Sequence, residues 1–206
     1  SLDDIRAIGA AGIGGFSTDV IAALDSKQIA ALSVAAIGSL TSDQVAALST
    51  LQVDSLTTNQ IAAMKSTQTA ALGVEDLKTF SSQDIAALSG RAIGGFGTGV
   101  IASLGTDLVA AFSTFSIASL TTEQLDALTS QQFVAMKTSQ IAALSSAQAS
   151  AINPSILASL SSGQIAALGS VAVTNLTGAQ IAALTSAQLS SLSTSQMAAL
   201  SSAQVN

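Results

Sequence analysis

Large apolar residues return at every eighth position of this chain without a break in register. Ile8, Phe16, Leu24, Leu32, Leu40, Leu48, Leu56 and Met64 open a series that runs to Leu192 and Leu200. A second apolar row stands three residues ahead of it, beginning Ile5, Ile13, Ile21, Ile29, Ile37, Val45, Val53 and Ile61, with Thr69 and Ala149 as its exceptions. Counting octads from Ser1, the seventh position is almost always Ala, Ser or Gly. The first is usually Ser, Thr, Gly, Asp or Asn, and the fourth is often Gln. The consensus reads Ser/Thr-x-x-Gln-Ile-Ala-Ala-Leu.

The octad Thr41-Ser42-Asp43-Gln44-Val45-Ala46-Ala47-Leu48 shows the local physics. Thr41 followed by Gln44 is a capping box, in which the hydroxyl accepts from the N3 amide and the Gln side chain reaches back to the N-cap amide. The Gln-Val-Ala-Ala-Leu that follows favours helix, with two large apolar residues on one face. Thr57 with Gln60, Thr121 with Gln124 and Thr177 with Gln180 form the same box.

One continuous helix is excluded. Eight residues at about 100° each carry the apolar stripe about 80° further round the rod per octad, and no partner surface follows such a stripe. The chain therefore turns once per octad. A β-solenoid is the alternative, but strand alternation needs inward residues of equal parity, and the fifth and eighth positions differ. Ala, Gln and Leu are also poor strand formers. The pattern predicts short helices.

An isolated octad cannot fold, because ordering eight residues costs more than burying two apolar side chains returns. Neighbouring octads must supply the rest, as in a solenoid. The expected interior is built from Leu24, Ile29, Leu32, Leu40, Val45, Leu48, Ile61, Leu88, Ile101, Leu120, Ile141, Leu144, Ile165, Leu168, Ile181, Leu184 and Leu200. Ser, Thr and Gln are expected outside. Above the octads, residues 9–48 resemble 89–128, and Ala63-Met64-Lys65 recurs as Ala135-Met136-Lys137, so the array grew by duplicating blocks. Both ends still read as repeat, which predicts a longer array or subunits stacked end to end.

Composition sharpens the picture at a few points. Apolar residues make up 49% of the 206, but aromatics only 3% and charged residues 9%. Repetition produces such a narrow alphabet. The net charge of −6 is spread along the chain, with no basic stripe to neutralise phosphates, so nucleic acid is not an expected partner. The lack of Cys leaves the redox compartment open. Polar residues interrupt every octad, so no membrane span is expected, and Ser1-Leu2-Asp3-Asp4 does not read as an export signal.

With no His, Cys, Trp or Tyr, the usual general bases, soft metal ligands and nucleophile activators are missing, and the serines read as caps. No cofactor and no enzymatic activity are expected. Asp3-Asp4, Glu75-Asp76 with Asp84, and Glu123 with Asp126 are too sparse for the six to eight oxygens calcium takes, and read as first-turn acids favoured by the helix dipole. Gly12-Ile13-Gly14-Gly15 is expected to allow close packing rather than cradle a nucleotide, and Gly14-Gly15-Phe16-Ser17-Thr18-Asp19 and Gly94-Gly95-Phe96-Gly97-Thr98-Gly99 are only weakly similar to glycine-rich calcium repeats, since the first alone has the Asp. Lys65 and Lys137, in cap positions, read as solvated replacements, and Asn153-Pro154 as a helix start.

The repeats of residues 41–72 and 161–204, as in Thr177-Gly178-Ala179-Gln180-Ile181-Ala182-Ala183-Leu184, resemble the short Ser/Thr-x-x-Gln-Ile-Ala-Ala-Leu repeats of very large bacterial surface and secreted proteins described as adhesin-like or hemagglutinin-like. Gly73 to Phe80 and Gly105 to Phe112 depart from the pattern in lacking the Gln. The resemblance implies an extracellular or cell-surface role and carries no catalytic residue with it.

The expectation is an all-α solenoid of very short helices, one per octad, continuous over residues 1–206 and uncapped at both ends. It would serve as a stiff rod, adhesin stalk or filament, meeting copies of itself or a surface or matrix ligand. The alternative function is an ice- or surface-binding module using regular Ser/Thr rows.

Overall fold

The computed structural model describes residues 1–205, with the side chains of all of these except Ala203 and Val205. Among the described residues the chain is all-helical: 26 helices of four to six residues, one in each octad, and no strands. Helix Ser42–Ala46 is typical. Val45 N–H donates to Thr41 O at 3.0 Å, Ala47 N–H to Asp43 O at 3.0 Å, and Leu48 N–H to Val45 O at 3.1 Å, a single turn tightened at its end.

The turn between octads needs no special residue. Position 8 is extended, as at Leu32 (φ −57°, ψ 144°), and so is position 1, as at Thr41 (φ −74°, ψ 163°). No described residue has positive φ. The bend comes from leaving the helical region for two residues, a conformation open to any L-residue, so glycine is dispensable at the corner.

The chain divides into two compact units at the octad boundary between Leu104 and Gly105. Each is a helical solenoid in which every helix packs on the third helix along. In the first unit Leu2–Arg6 packs on Ser26–Ala31, and Thr58–Ala62 on Ser82–Ala87. In the second, Thr106–Ala111 packs on Ser130–Ala135, and Pro154–Ser159 on Gly178–Ala183.

The fifth and eighth rows line the interior of each unit. Ile29, Leu32, Leu40, Val45, Leu48, Ile61, Leu88 and Ile101 are buried in the first, and Leu120, Ile141, Leu144, Ile165, Leu168, Ile181 and Leu184 in the second. Leu24 and Leu200, expected in the core, are only half-buried. Each lies in a turn that has a neighbouring turn on one side only. Thr69 and Ala149, the polar and small exceptions of the fifth row, are both fully buried. Thr69 is tolerated because its hydroxyl donates to Ala92 O at 2.6 Å.

The close packing expected of the glycines in Gly12-Ile13-Gly14-Gly15 is not found there, and occurs instead at Gly95, which the sequence did not single out for it. A Cβ on Gly95 would stand 2.2 Å from Ser66 O, so the two octads meet there only because the side chain is missing. At Gly14 the nearest atom is 3.8 Å away and at Gly15 3.5 Å, ordinary contact distances.

Candidate functional site

The repeated polar machinery centres on the glutamine of the fourth position, and it lies inside rather than outside. Gln44, Gln60, Gln124 and Gln180 expose only 3%, 1%, 4% and 1% of their surface, which corrects the expected Ser/Thr/Gln exterior. A buried amide must satisfy two N–H donors and a carbonyl oxygen or lose stability, so the question is where those groups go.

Gln60 answers it. Its backbone N–H donates to Thr57 Oγ1 at 3.3 Å, and its Oε1 accepts from Thr57 N–H at 2.8 Å and from the Thr57 hydroxyl at 3.1 Å, which closes the capping box. Its Nε2 donates to Ile29 O and Leu32 O, both at 2.9 Å. Those carbonyls belong to the end of helix Ser26–Ala31, one coil back, where a helix leaves its last acceptors unpaired. One side chain thus caps the start of its own helix and the end of another.

The device recurs in both units. Gln44 reaches Ile13 O and Phe16 O, and Gln68 reaches Ile37 O and Leu40 O. In the second unit Gln140 reaches Val109 O and Phe112 O, Gln148 reaches Ile117 O and Leu120 O, and Gln180 reaches Ala149 O and Ile152 O. In these examples the separations are 31 and 28 residues, so each bond reaches back between three and four octads. Among the described residues no buried side-chain nitrogen or oxygen lacks a partner.

The hydroxyl caps sit as the boxes require. Thr41, Thr57, Thr121 and Thr177 accept from the N–H groups of Gln44, Gln60, Gln124 and Gln180, and each glutamine Oε1 accepts in return from the threonine N–H. Lys65 and Lys137 keep half of the box: their N–H groups donate to Gln68 and Gln140 Oε1 at 2.8 and 2.7 Å while their side chains are exposed. Asn153 caps Ser155, with Pro154 in the first turn.

Aspartate at the fourth position reverses the chemistry. A carboxylate has no donor for a distant carbonyl, so Asp84 instead accepts from the Thr58 hydroxyl at 2.6 Å, and Asp76 from the Thr50 hydroxyl at 2.9 Å. Partial burial pushes the Asp84 carboxyl up, but the Ser81 and Thr58 hydroxyls and the Ser81 amide outweigh it and hold the group below its ordinary value. Asp3, Asp4, Glu75 and Glu123 stand in first turns as expected, whereas Asp126 closes helix Thr122–Asp126. The ion pairs Arg6–Asp3 and Lys78–Glu75 are exposed and contribute little.

These features define a helical-octad repeat protein, in which the recurring geometry of capping and cross-coil bonding is the site. Residues 2–34, 21–58, 37–74, 101–138 and 175–206 match the ALTTAQ repeat family, and together they cover more than half of the sequence. The chain belongs to the ALTTAQ repeat family. No curated protein matches it.

Proposed function

We propose that the chain is a non-enzymatic structural spacer, a segment of an extracellular or cell-surface rod, adhesin stalk or filament. The observation that carries this reading is the employment of the repeated polar side chains. Hydroxyls of the first position cap helices, and glutamines of the fourth tie each coil to the one before. A repeat so used adds length and stiffness each time it is copied.

The resemblance to repeats of large bacterial surface proteins supports the placement outside the cell. An apolar groove of about 570 Å³ lined by Ile181, Leu184, Leu189, Met197 and Leu200 supports association with a further turn of octads, in the same array or in another copy. No helix among the described residues is long and apolar enough to cross a membrane, in keeping with a role that does not need one. Small-angle scattering and electron microscopy of the purified chain test the proposal. Particles whose length grows in proportion to the number of octads support it, and particles that stay isometric as octads are added refute it. Surface labelling of intact host cells tests the location, and a signal only after lysis refutes it.

A further inference from the structure

We propose that the first unit carries an oxyanion-binding cleft between its ninth and twelfth octads, built by Lys65 and Arg91 and suited to a phosphate or sulfate ester the size of a single sugar. The cleft has a volume of about 310 Å³ and is lined by Met64, Lys65, Ser66, Thr67, Ser89 and Arg91. Two cations and three hydroxyl groups face it, and no carboxylate does.

The juxtaposition stands out against the rest of the chain. Only six residues of the 206 are Lys or Arg, against twelve acids. Arg6 and Lys78 form ion pairs with Asp3 and Glu75, and no carboxylate pairs with Lys65 or Arg91 among the described residues. Of the remaining cations, two meet in one cleft. An arginine fork and a lysine point charge beside hydroxyl donors are the groups that hold phosphate and sulfate oxygens.

The backbone beneath the cleft is fixed. The Thr69 hydroxyl donates to Ala92 O at 2.6 Å, and Gly95 lets Ser66 O approach to a distance that a Cβ would forbid. Helices Ser66–Thr69 and Gly90–Ile93, which carry the two cations at or beside their starts, are therefore held against each other. The spacing of the two backbone segments that carry the cations is set before any ligand arrives, which lowers part of the ordering cost of binding.

The chain also holds its own control. Met136 and Lys137 repeat Met64 and Lys65, and helix Thr138–Ala142 packs on Ser162–Ala166 as Ser66–Thr69 packs on Gly90–Ile93. There, Ser161 stands for Ser89, but Gly163 stands where Arg91 does. A Cβ on Gly163 meets only Ser161 Oγ at 3.9 Å, so a side chain fits.

The test is amide NMR of the whole chain titrated with a hexose 6-phosphate, a hexose 6-sulfate and the neutral hexose at low salt. Saturable shifts confined to residues 64–67 and 89–91 are expected with the esters, and the tighter of the two identifies the source. Lys65→Gln and Arg91→Gln should each weaken binding roughly fivefold, as an exposed charge pair of about 1 kcal/mol implies. Gly163→Arg should add a second set of shifts at 136–139 and 161–163. Equal binding of the neutral hexose, shifts shared with Lys27, or unchanged affinity in Arg91→Gln overturns the proposal. A Gly163→Arg chain that folds with unaltered helical content and gains no second set overturns the requirement for the paired cation.

Discussion

Replacing Gln60 by Glu changes one amide to a carboxylate of the same shape and leaves the local capping bond available. Oxygen still faces Thr57 N–H, which lies 2.8 Å from the present Oε1. The other end of the side chain is where the cost falls. Two N–H donors at 2.9 Å from Ile29 O and Leu32 O become an oxygen that meets two carbonyl oxygens. Ile29 O keeps a bond from Leu32 N–H at 3.1 Å, but Leu32 O loses the amide that ties it to the later coil.

An unsatisfied buried acceptor costs about 1–3 kcal/mol, and the repelled charge adds to it. The charge term is limited by protonation: a glutamate raised from about 4.3 to about 7 costs about 3 kcal/mol at pH 7, where it is half protonated in the folded state. The sign follows from linkage. The folded pKa lies above the unfolded one, so the penalty is absent below about pH 4.3, grows as pH rises to the folded value, and is constant beyond it. The protonated carboxyl of the variant still lacks one of the two donors, which leaves about 1 kcal/mol.

Urea unfolding followed by circular dichroism, comparing variant and wild type at pH 7 and at pH 4, measures both quantities. The expected loss is about 4 kcal/mol at pH 7 and about 1 kcal/mol at pH 4. The exposed Gln83→Glu should change stability by less than about 0.5 kcal/mol at either pH. Equal stability of Gln60→Glu and wild type at pH 7 would refute the donor role of the buried amide.

Gly95→Ala should cost about 2 kcal/mol because its Cβ would overlap Ser66 O at 2.2 Å, whereas Gly14→Ala, at ordinary contact distances with helical φ, should stabilise by about 0.5 kcal/mol; thermal melts compare them. Leu48→Asp places an unpaired charge at a buried position and should cost about 4 kcal/mol or more, and an unchanged melting temperature would mean that the interior is misassigned. The lowered pKa of Asp84 adds stability that is fully present above its ordinary value of 3.8 and is lost as pH falls through the lower folded value. Asp84→Asn should therefore flatten the acid end of the stability profile, and an unaltered profile would show that Thr58 and Ser81 do not favour the charged form.

The part of the fold written in short spacings was legible in the sequence. Rows at the fifth and eighth positions differ in parity, which favours a helical face over a strand, and Thr41 with Gln44 marks a helix start. Both features depend on residues within one octad. The cross-coil role of the glutamine does not, since it joins Gln60 to residues 28 and 31 away and has no local periodicity. The capping box is by itself a sufficient local reason for the residue, and a box alone leaves the side chain at the surface.

One signal was present and pointed further. A capping box accepts Glu as readily as Gln, yet both glutamates of the chain, Glu75 and Glu123, occupy the third position and none the fourth. Gln is far commoner at the fourth position than the carboxylates Asp4, Asp76 and Asp84, the preference expected of a position that needs a donor. The half-burial of Leu24 and Leu200 lies outside any octad rule, because it depends on how many turns stack on each side. The spacing of Lys65 and Arg91 was hidden for the same reason as the glutamine bonds: it needs the number of octads per coil.

Hydrogen exchange of the glutamine side-chain amides, resolved by NMR, tests the central claim that these groups cap the preceding coil. The Nε2 protons of Gln60, Gln68, Gln140 and Gln148 should exchange at least about 100-fold more slowly than those of the exposed Gln83 and Gln131, as groups released only by opening a coil do. Exchange of all six at one common rate would contradict the account.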